Sequence, residues 1–170
     1  FKKLNPEVNL TLTVVNRAQA IRRLSDNRDD LIIMSMVPQD MGLEFMPFLN
    51  NPIVAVGPLG HPLWNLERVR LQDLEPHTLL VREQGSGTRK ACEEYFKDKR
   101  VHFSQTLEVA SADAQRECVI AGLGIALLTR HALNLELATG VLRELPVEEL
   151  PLYRSWCVVQ AKAKRQSPVA

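Results

Sequence analysis

The chain has 170 residues, 45% of them apolar and 24% charged, with a formal net charge of +1. That length supports one large domain or two small lobes with their own cores, and the composition is that of an ordinary globular protein. It excludes a large basic surface for nucleic acid, and no run approaches the roughly 18 consecutive apolar residues of a membrane span. The first residues lack a charged region followed by an apolar core, so a cytoplasmic location is expected.

Phe1–Leu4, ahead of Asn5-Pro6, reads as the tail of a helix stopped by a proline. Val8, Leu10, Leu12 and Val14 alternate with other residues and predict a strand. Asn16 with Gln19 three residues on is a capping-box pattern, and Ala20, Ile21 and Leu24 give the helix that follows an apolar stripe. Asp29-Asp30 closes that unit. Leu31–Met34 is a compact strand, too continuously apolar to be half exposed. Apolar strands alternating with helices predict mostly parallel sheets covered on both faces.

Leu43–Leu49 and Pro52–Val56 are the next extended pieces, after which Pro58, Gly60 and Pro62 break regular structure. Leu71–Leu74 makes a short helical turn, and Thr78–Val81 a strand. Arg82-Glu-Gln-Gly-Ser-Gly-Thr-Arg-Lys90 then turns on two glycines into a helix whose inner face carries Ala91, Cys92, Tyr95 and Phe96. Thr106–Ala110 is a strand. Ser111 caps the next helix, Asp113 suits its first turn, and Gly122 and Gly124 close it. Ile125–Leu128, Val141–Leu145 and Leu152–Val159 are further strands, with a helix at His131–Ala138 and a solvated charged tail at Lys162–Arg165. A further strand and helix are expected before Phe1, and a covering helix after the last strand.

Ligands of open α/β sheets sit beyond the C-terminal ends of the strands. Four such ends stand out: Asn16-Arg17, Ser35-Met36, Gln84-Gly85-Ser86-Gly87-Thr88-Arg89 and Ser111-Ala112. Three are also helix starts, where unpaired N–H groups and the helix dipole favour an anion. An arginine fork adds a charge-assisted bond of about 1.5–3 kcal/mol. Together these suffice for reversible binding of a carboxylate or phosphate. Taken singly, each has a plainer reading: Asn16, Ser86 and Ser111 as helix caps, Arg17 and Arg89 as exposed helix residues, Gly85 and Gly87 as turn formers.

Enzyme readings fit less well. Gly85–Arg89 lacks the spacing and lysine of a P-loop, and Gly122-Leu-Gly124 lacks the third glycine of a dinucleotide fingerprint. No nucleophile elbow surrounds Ser86. His61, His77, His102 and His131 are scattered. No catalytic residue, metal site or cofactor is expected. Cys92, Cys118 and Cys157 are odd in number and widely spaced, as buried structural thiols would be.

Several motifs resemble the effector-binding domain of LysR-type transcriptional regulators. They are Asn5-Pro6, Asn51-Pro-Ile-Val54, Gly60-His-Pro-Leu63, Gly85-Ser-Gly-Thr-Arg89 and Val119-Ile-Ala-Gly-Leu-Gly-Ile125. Asn16-Arg17, Asp29–Met34 and His131–Ala138 narrow the resemblance to the CbbR/CmpR subgroup controlling carbon fixation and inorganic-carbon uptake. It implies an α/β, two-lobed periplasmic-binding-protein-like fold, each lobe a mostly parallel sheet flanked by helices, with an effector cleft between the lobes. The expected division is a first lobe at 1–57, a second at 58–148 and a return strand at 149–170, with crossovers near Val56–Leu59 and Pro146–Leu150. The resemblance also implies a homodimer or tetramer, and operator DNA bound through an N-terminal helix-turn-helix outside this chain. A small anionic co-regulator is implied too, such as ribulose bisphosphate, 2-phosphoglycolate or a nicotinamide nucleotide. A transporter's solute-binding protein is the alternative; an enzyme on the same scaffold and a dimerisation module with an empty cleft are weaker ones.

Overall fold

The computed structural model describes residues 2–162. Eight strands form two sheets. A three-stranded sheet has the order β1-β8-β2, and a five-stranded sheet the order β5-β4-β6-β3-β7. The strands are β1 (Ile32–Met34), β2 (Leu43–Asn50), β3 (Ile53–Pro58), β4 (Leu79–Arg82), β5 (Thr106–Val109), β6 (Ile125–Thr129), β7 (Leu142–Glu144) and β8 (Ser155–Ala161). The helices are α1 (Arg17–Ser25), α2 (Gly87–Lys99), α3 (Ala112–Ile120) and α4 (Asn134–Thr139).

The five-stranded sheet is covered on both faces, which is why its central strands are continuously apolar. Alternation along β3 sends Ile53 and Ala55 into a core shared with Ala91, Cys92 and Phe96 of α2. Val54 and Val56 enter the core on the opposite face, with Val119 of α3. Leu71 and Leu74, both fully buried, complete the α2 side, each contributing about 1.5–3 kcal/mol by leaving water. In the smaller sheet, Ala20 and Leu24 of α1 pack on Ile32, Met34, Cys157 and Val159.

Several expectations change. Strands β5, β4 and β6 run parallel. The pairs β3–β6 and β3–β7 are antiparallel, as are both pairs of the smaller sheet. Chain segments that return from one sheet to the other enter as antiparallel neighbours, so alternation of elements overstated the parallel share. Residues 8–14 form no strand: no described residue offers them a ladder, and Leu10, Leu12 and Val14 stand exposed. Ile33 is 58% exposed, because α1 covers only the Ile32 and Met34 face of β1. Lys2–Leu4 is a turn rather than helix. His131–Ala138 divides into a short turn at Arg130–Leu133 and α4. Phe1 and residues 163–165 of the expected charged tail lie outside the described residues.

Strand β3 belongs to the larger sheet, so we place the crossovers at 51–52 and 153–154 rather than near 57 and 148. The two passages are bonded to each other: Ile53 N–H donates to Leu152 O and Leu152 N–H to Ile53 O, both at 2.9 Å, and Asn51 N–H donates to Arg154 O at 2.7 Å. The two connections are short and hydrogen-bonded to each other.

Candidate functional site

The site is built from two helix starts that face each other. Asn16 caps α1: its Oδ1 accepts from Gln19 N–H at 3.0 Å, and Gln19 Oε1 accepts from Asn16 N–H at 3.2 Å. This reciprocal pair holds the first turn rigid and aims Arg17. Arg17 Nε donates to Met36 O at 2.8 Å, joining α1 to the loop after β1. Across from it, β4 ends and the backbone turns at Gly85, whose φ of +87° is a conformation glycine adopts without strain. Ser86 is buried and caps α2, its Oγ accepting from Arg89 N–H at 3.4 Å.

The two halves touch directly. Ala18 N–H donates to Gly85 O at 3.0 Å. A Cβ on Gly85 would lie 2.8 Å from Ala18 Cβ and 3.4 Å from Asn16 Oδ1. A Cβ on Gly87 would lie 3.4 Å from Arg17 Cδ and 3.6 Å from Ser35 Oγ. The bare backbone of the Gly-Ser-Gly turn therefore lets Arg17 and Ser35 close on it. An open depression of about 370 Å³ adjoins this contact, with Arg17 and Ala18 on one side and Gln84, Gly85, Ser86 and the Arg89, Lys90, Glu93 and Glu94 face of α2 on the other. The first-turn N–H groups of Arg17, Gly87 and Thr88 have no acceptor within their own helices, which is the usual condition for anion capture.

The structure thus joins Asn16, Arg17, Ser35 and Met36 to Gly85, Ser86 and Gly87. Ser111 caps α3, accepting from Ala114 N–H at 3.1 Å. Ser111 and Ala112 lie on the same sheet edge as Gln84 through the pairing of Arg82 with Val109. Thr88 lines a separate chamber beneath α2. Arg89 lines the same depression but is already engaged by carboxylates. Its Nε donates to Glu93 at 2.7 Å, and its Nη1 to Glu108 at 2.6 Å and to Arg82 O at 2.8 Å. The hydrogen bond to Glu93, then that to Glu108, raises its pKa against the opposing effect of burial. Its charge is already matched, whereas Arg17 has no carboxylate partner among the described residues.

Sequence reasoning missed Ala18, which carries no chemical signal of its own. It also missed the structural part of Asn51. Asn51 is only 2% exposed at the paired crossovers, although in sequence it shows only as part of the Asn51-Pro-Ile-Val54 motif.

The other reactive groups do not converge. The His61 and His77 rings lie 4.7 Å apart, tilted at 58°, and burial, then the His77 charge, lowers the His61 pKa. His131 Nε2 bonds the Asn50 carbonyl at 2.8 Å. Among the described residues no cluster of three or more His, Cys, Asp or Glu is placed to hold a metal. Burial pushes the Cys92 thiol up to about 12 and raises that of Cys157. Iodoacetamide near pH 8 should therefore modify Cys118 first in the folded protein, with Cys92 reacting only as fast as the structure opens. Timed mass spectrometry checks this; early labelling of Cys92 would contradict its burial.

Two α/β lobes, linked by paired crossovers and meeting at helix N-termini beside an open depression, define a ligand-binding domain of the periplasmic-binding-protein-like kind. Residues 1–170 match the family model described as the LysR substrate binding domain, and the chain belongs to that family. It is 36% identical over 170 residues to the HTH-type transcriptional activator CmpR of Synechocystis sp., covering 100% of this chain and 56% of that protein. It is 34% identical, over 100% of this chain and 56% of the relative, to a RuBisCO operon transcriptional regulator of Allochromatium vinosum. The chain therefore spans about half the length of these curated relatives. Among solved structures, the Synechocystis CcmR regulatory domain in complex with 2-PG superposes with a TM-score of 0.93 at 32% identity, covering 99% of this chain and 81% of that one. The solute-binding alternative finds no support, since these relatives are named transcriptional regulators. No helix among the described residues is long and apolar enough to cross a membrane.

Proposed function

We propose that this chain is the effector-sensing domain of a LysR-type regulator of CO2-fixation or inorganic-carbon-uptake genes. Its effector is a small phosphorylated metabolite of the 2-phosphoglycolate or ribulose bisphosphate type. The observation that carries this reading is the contact of the Arg17 stem and Ser35 with the bare Gly85-Ser86-Gly87 turn, which brings an arginine without a carboxylate partner and two helix starts to one place. The regulator names of the relatives and the 2-PG bound by the CcmR domain support the same class of ligand.

The domain binds rather than transforms its ligand, and works in the cytoplasm. The phosphate takes the N–H groups of Gly87 and Thr88 and the Arg17 fork. Ser35, Ser86 and Ser111 supply hydroxyls around it. By contacting both lobes the ligand favours one lobe arrangement, by no more than its difference in affinity for the two states. A homodimer or tetramer passes that bias to operator DNA held by a helix-turn-helix outside this chain.

Calorimetric titration with 2-phosphoglycolate, ribulose bisphosphate and uncharged controls tests the reading. Arg17→Ala is expected to weaken binding roughly 10- to 100-fold, the worth of one charge-assisted bond. Arg89→Ala should change it by less than about 3-fold, because that guanidinium already serves two carboxylates. Equal losses in both variants, or none in Arg17→Ala, would remove the assignment of the anion to this turn.

A further inference from the structure

The loop that follows β1 holds a strained residue. Met36 has a φ of +53°. A residue with a Cβ adopts that conformation only where its surroundings keep it there. Among the described residues, Asn27 and Arg100 share it, but they stand just past the ends of α1 and α2, where it is ordinary. Met36 follows a strand, and no helix ends there.

What holds Met36 lies on both sides of it. Its side chain is half-buried and packs against the core that contains Leu71, Leu74, Ala91, Cys92 and Phe96. Every buried member of that core lies between Ile53 and Leu152, on the second-lobe side of both crossovers. The next residue, Val37, packs instead against the first-lobe core of Ala20, Leu24, Ile32 and Met34. Consecutive residues thus enter the cores of different lobes. The Met36 carbonyl is engaged as well, accepting from Arg17 Nε at 2.8 Å. Packing and hydrogen bond together offset the backbone strain.

We infer that Met36 is a positioning residue for the effector, whose side chain bolts the loop after β1 to the second lobe while its carbonyl holds Arg17 beside the Gly85-Ser86-Gly87 turn. One residue then fixes the meeting of the lobes and the place of the arginine together. Met36 acts through Arg17 and through the contact of the two helix starts, rather than on the effector itself. Its two parts are separable: the side chain makes the lobe contact, and the backbone makes the Arg17 bond. The bolt stands whatever the site takes; only its effect on effector affinity rests on the anion reading.

Amide hydrogen exchange of the protein without ligand is the readout, because Ala18 N–H bonds Gly85 O across the lobes at 3.0 Å. Two amides bonded within one lobe serve as controls: Ala20 N–H to Asn16 O in α1, and Ile125 N–H to Thr78 O in the larger sheet. Met36→Gly keeps the left-handed backbone without steric cost, and Met36→Asn keeps it with a polar side chain. Both should speed Ala18 exchange about 10-fold and leave the controls unchanged. Met36→Leu, apolar and of similar volume, should stay within about 3-fold of the unsubstituted protein. In calorimetry with 2-phosphoglycolate, the Gly and Asn variants should lose about the same 10-fold in affinity. If the unsubstituted protein binds no 2-phosphoglycolate, the anion reading fails, and the exchange rates still decide the role of Met36. Unchanged Ala18 exchange in the Gly and Asn variants would overturn the bolt, as would equal acceleration of all three amides, the mark of general loosening.

Discussion

Gly85→Ala is expected to lower the stability of the domain by about 2–4 kcal/mol and to weaken effector binding roughly 10- to 100-fold. Two independent strains add. At φ +87° a side chain sits in a backbone region that costs about 1–3 kcal/mol. The new Cβ would also approach Ala18 Cβ at 2.8 Å, a contact neither rigid methyl can relieve by rotating. The turn must move away from α1, and with it go the Ala18–Gly85 hydrogen bond and the approach of Arg17 to Gly87. Urea unfolding gives the first number and calorimetry with 2-phosphoglycolate the second. Combining the change with Ala18→Gly should return part of the affinity, since it removes the steric half and leaves the backbone half. Wild-type affinity in Gly85→Ala would mean that the lobes do not need this contact to hold the ligand.

Gly124→Ala is expected to cost more than 3 kcal/mol, roughly 10 °C or more in Tm for a domain of this size. The obstacle is backbone rather than side chain. A Cβ at this position would stand 2.3 Å from the Thr78 carbonyl oxygen. That oxygen accepts the Ile125 N–H at 2.9 Å, the bond with which β6 begins to run beside β4. Only two residue pairs, Leu79 with Ile125 and Leu80 with Ala126, join these central strands. Prising them apart at Thr78 disturbs the middle of the five-stranded sheet. The neighbouring Gly122→Ala has open space for its Cβ and should lose only the glycine-specific turn energy of about 1 kcal/mol. Thermal unfolding of the pair checks the order, and a milder effect at 124 than at 122 would refute it.

Much of the fold was legible because its signals are local. The Asn16–Gln19 pair marked the start of α1, Ser86 that of α2 and Ser111 that of α3, and all three side chains make the cap bonds their spacing implied. Leu31–Met34 misled because an apolar run reports what a strand can bury, not what stands beside it. The same holds for residues 8–14, whose alternation needs a partner strand to become a sheet. That β3 pairs in the larger sheet is hidden in the sequence, because the break at Pro58-Leu-Gly60 is a stronger local signal than Asn51-Pro52, where the chain passes between sheets.

By itself the sequence determined the helix starts, the family motifs and the cluster of small and cationic residues at strand ends, since each depends on neighbours within a few positions. Only the tertiary structure decided which arginine is paired with carboxylates and which is not. Arg17 and Arg89 look alike in sequence, but the pairing of β5 with β4 brings Glu108 to Arg89, while the stem of Arg17 rests against Gly87 and its Nε bonds Met36 O with no carboxylate beside it among the described residues. Electrostatic pairing acts through space between residues far apart in the chain, and no local pattern encodes which charges will meet.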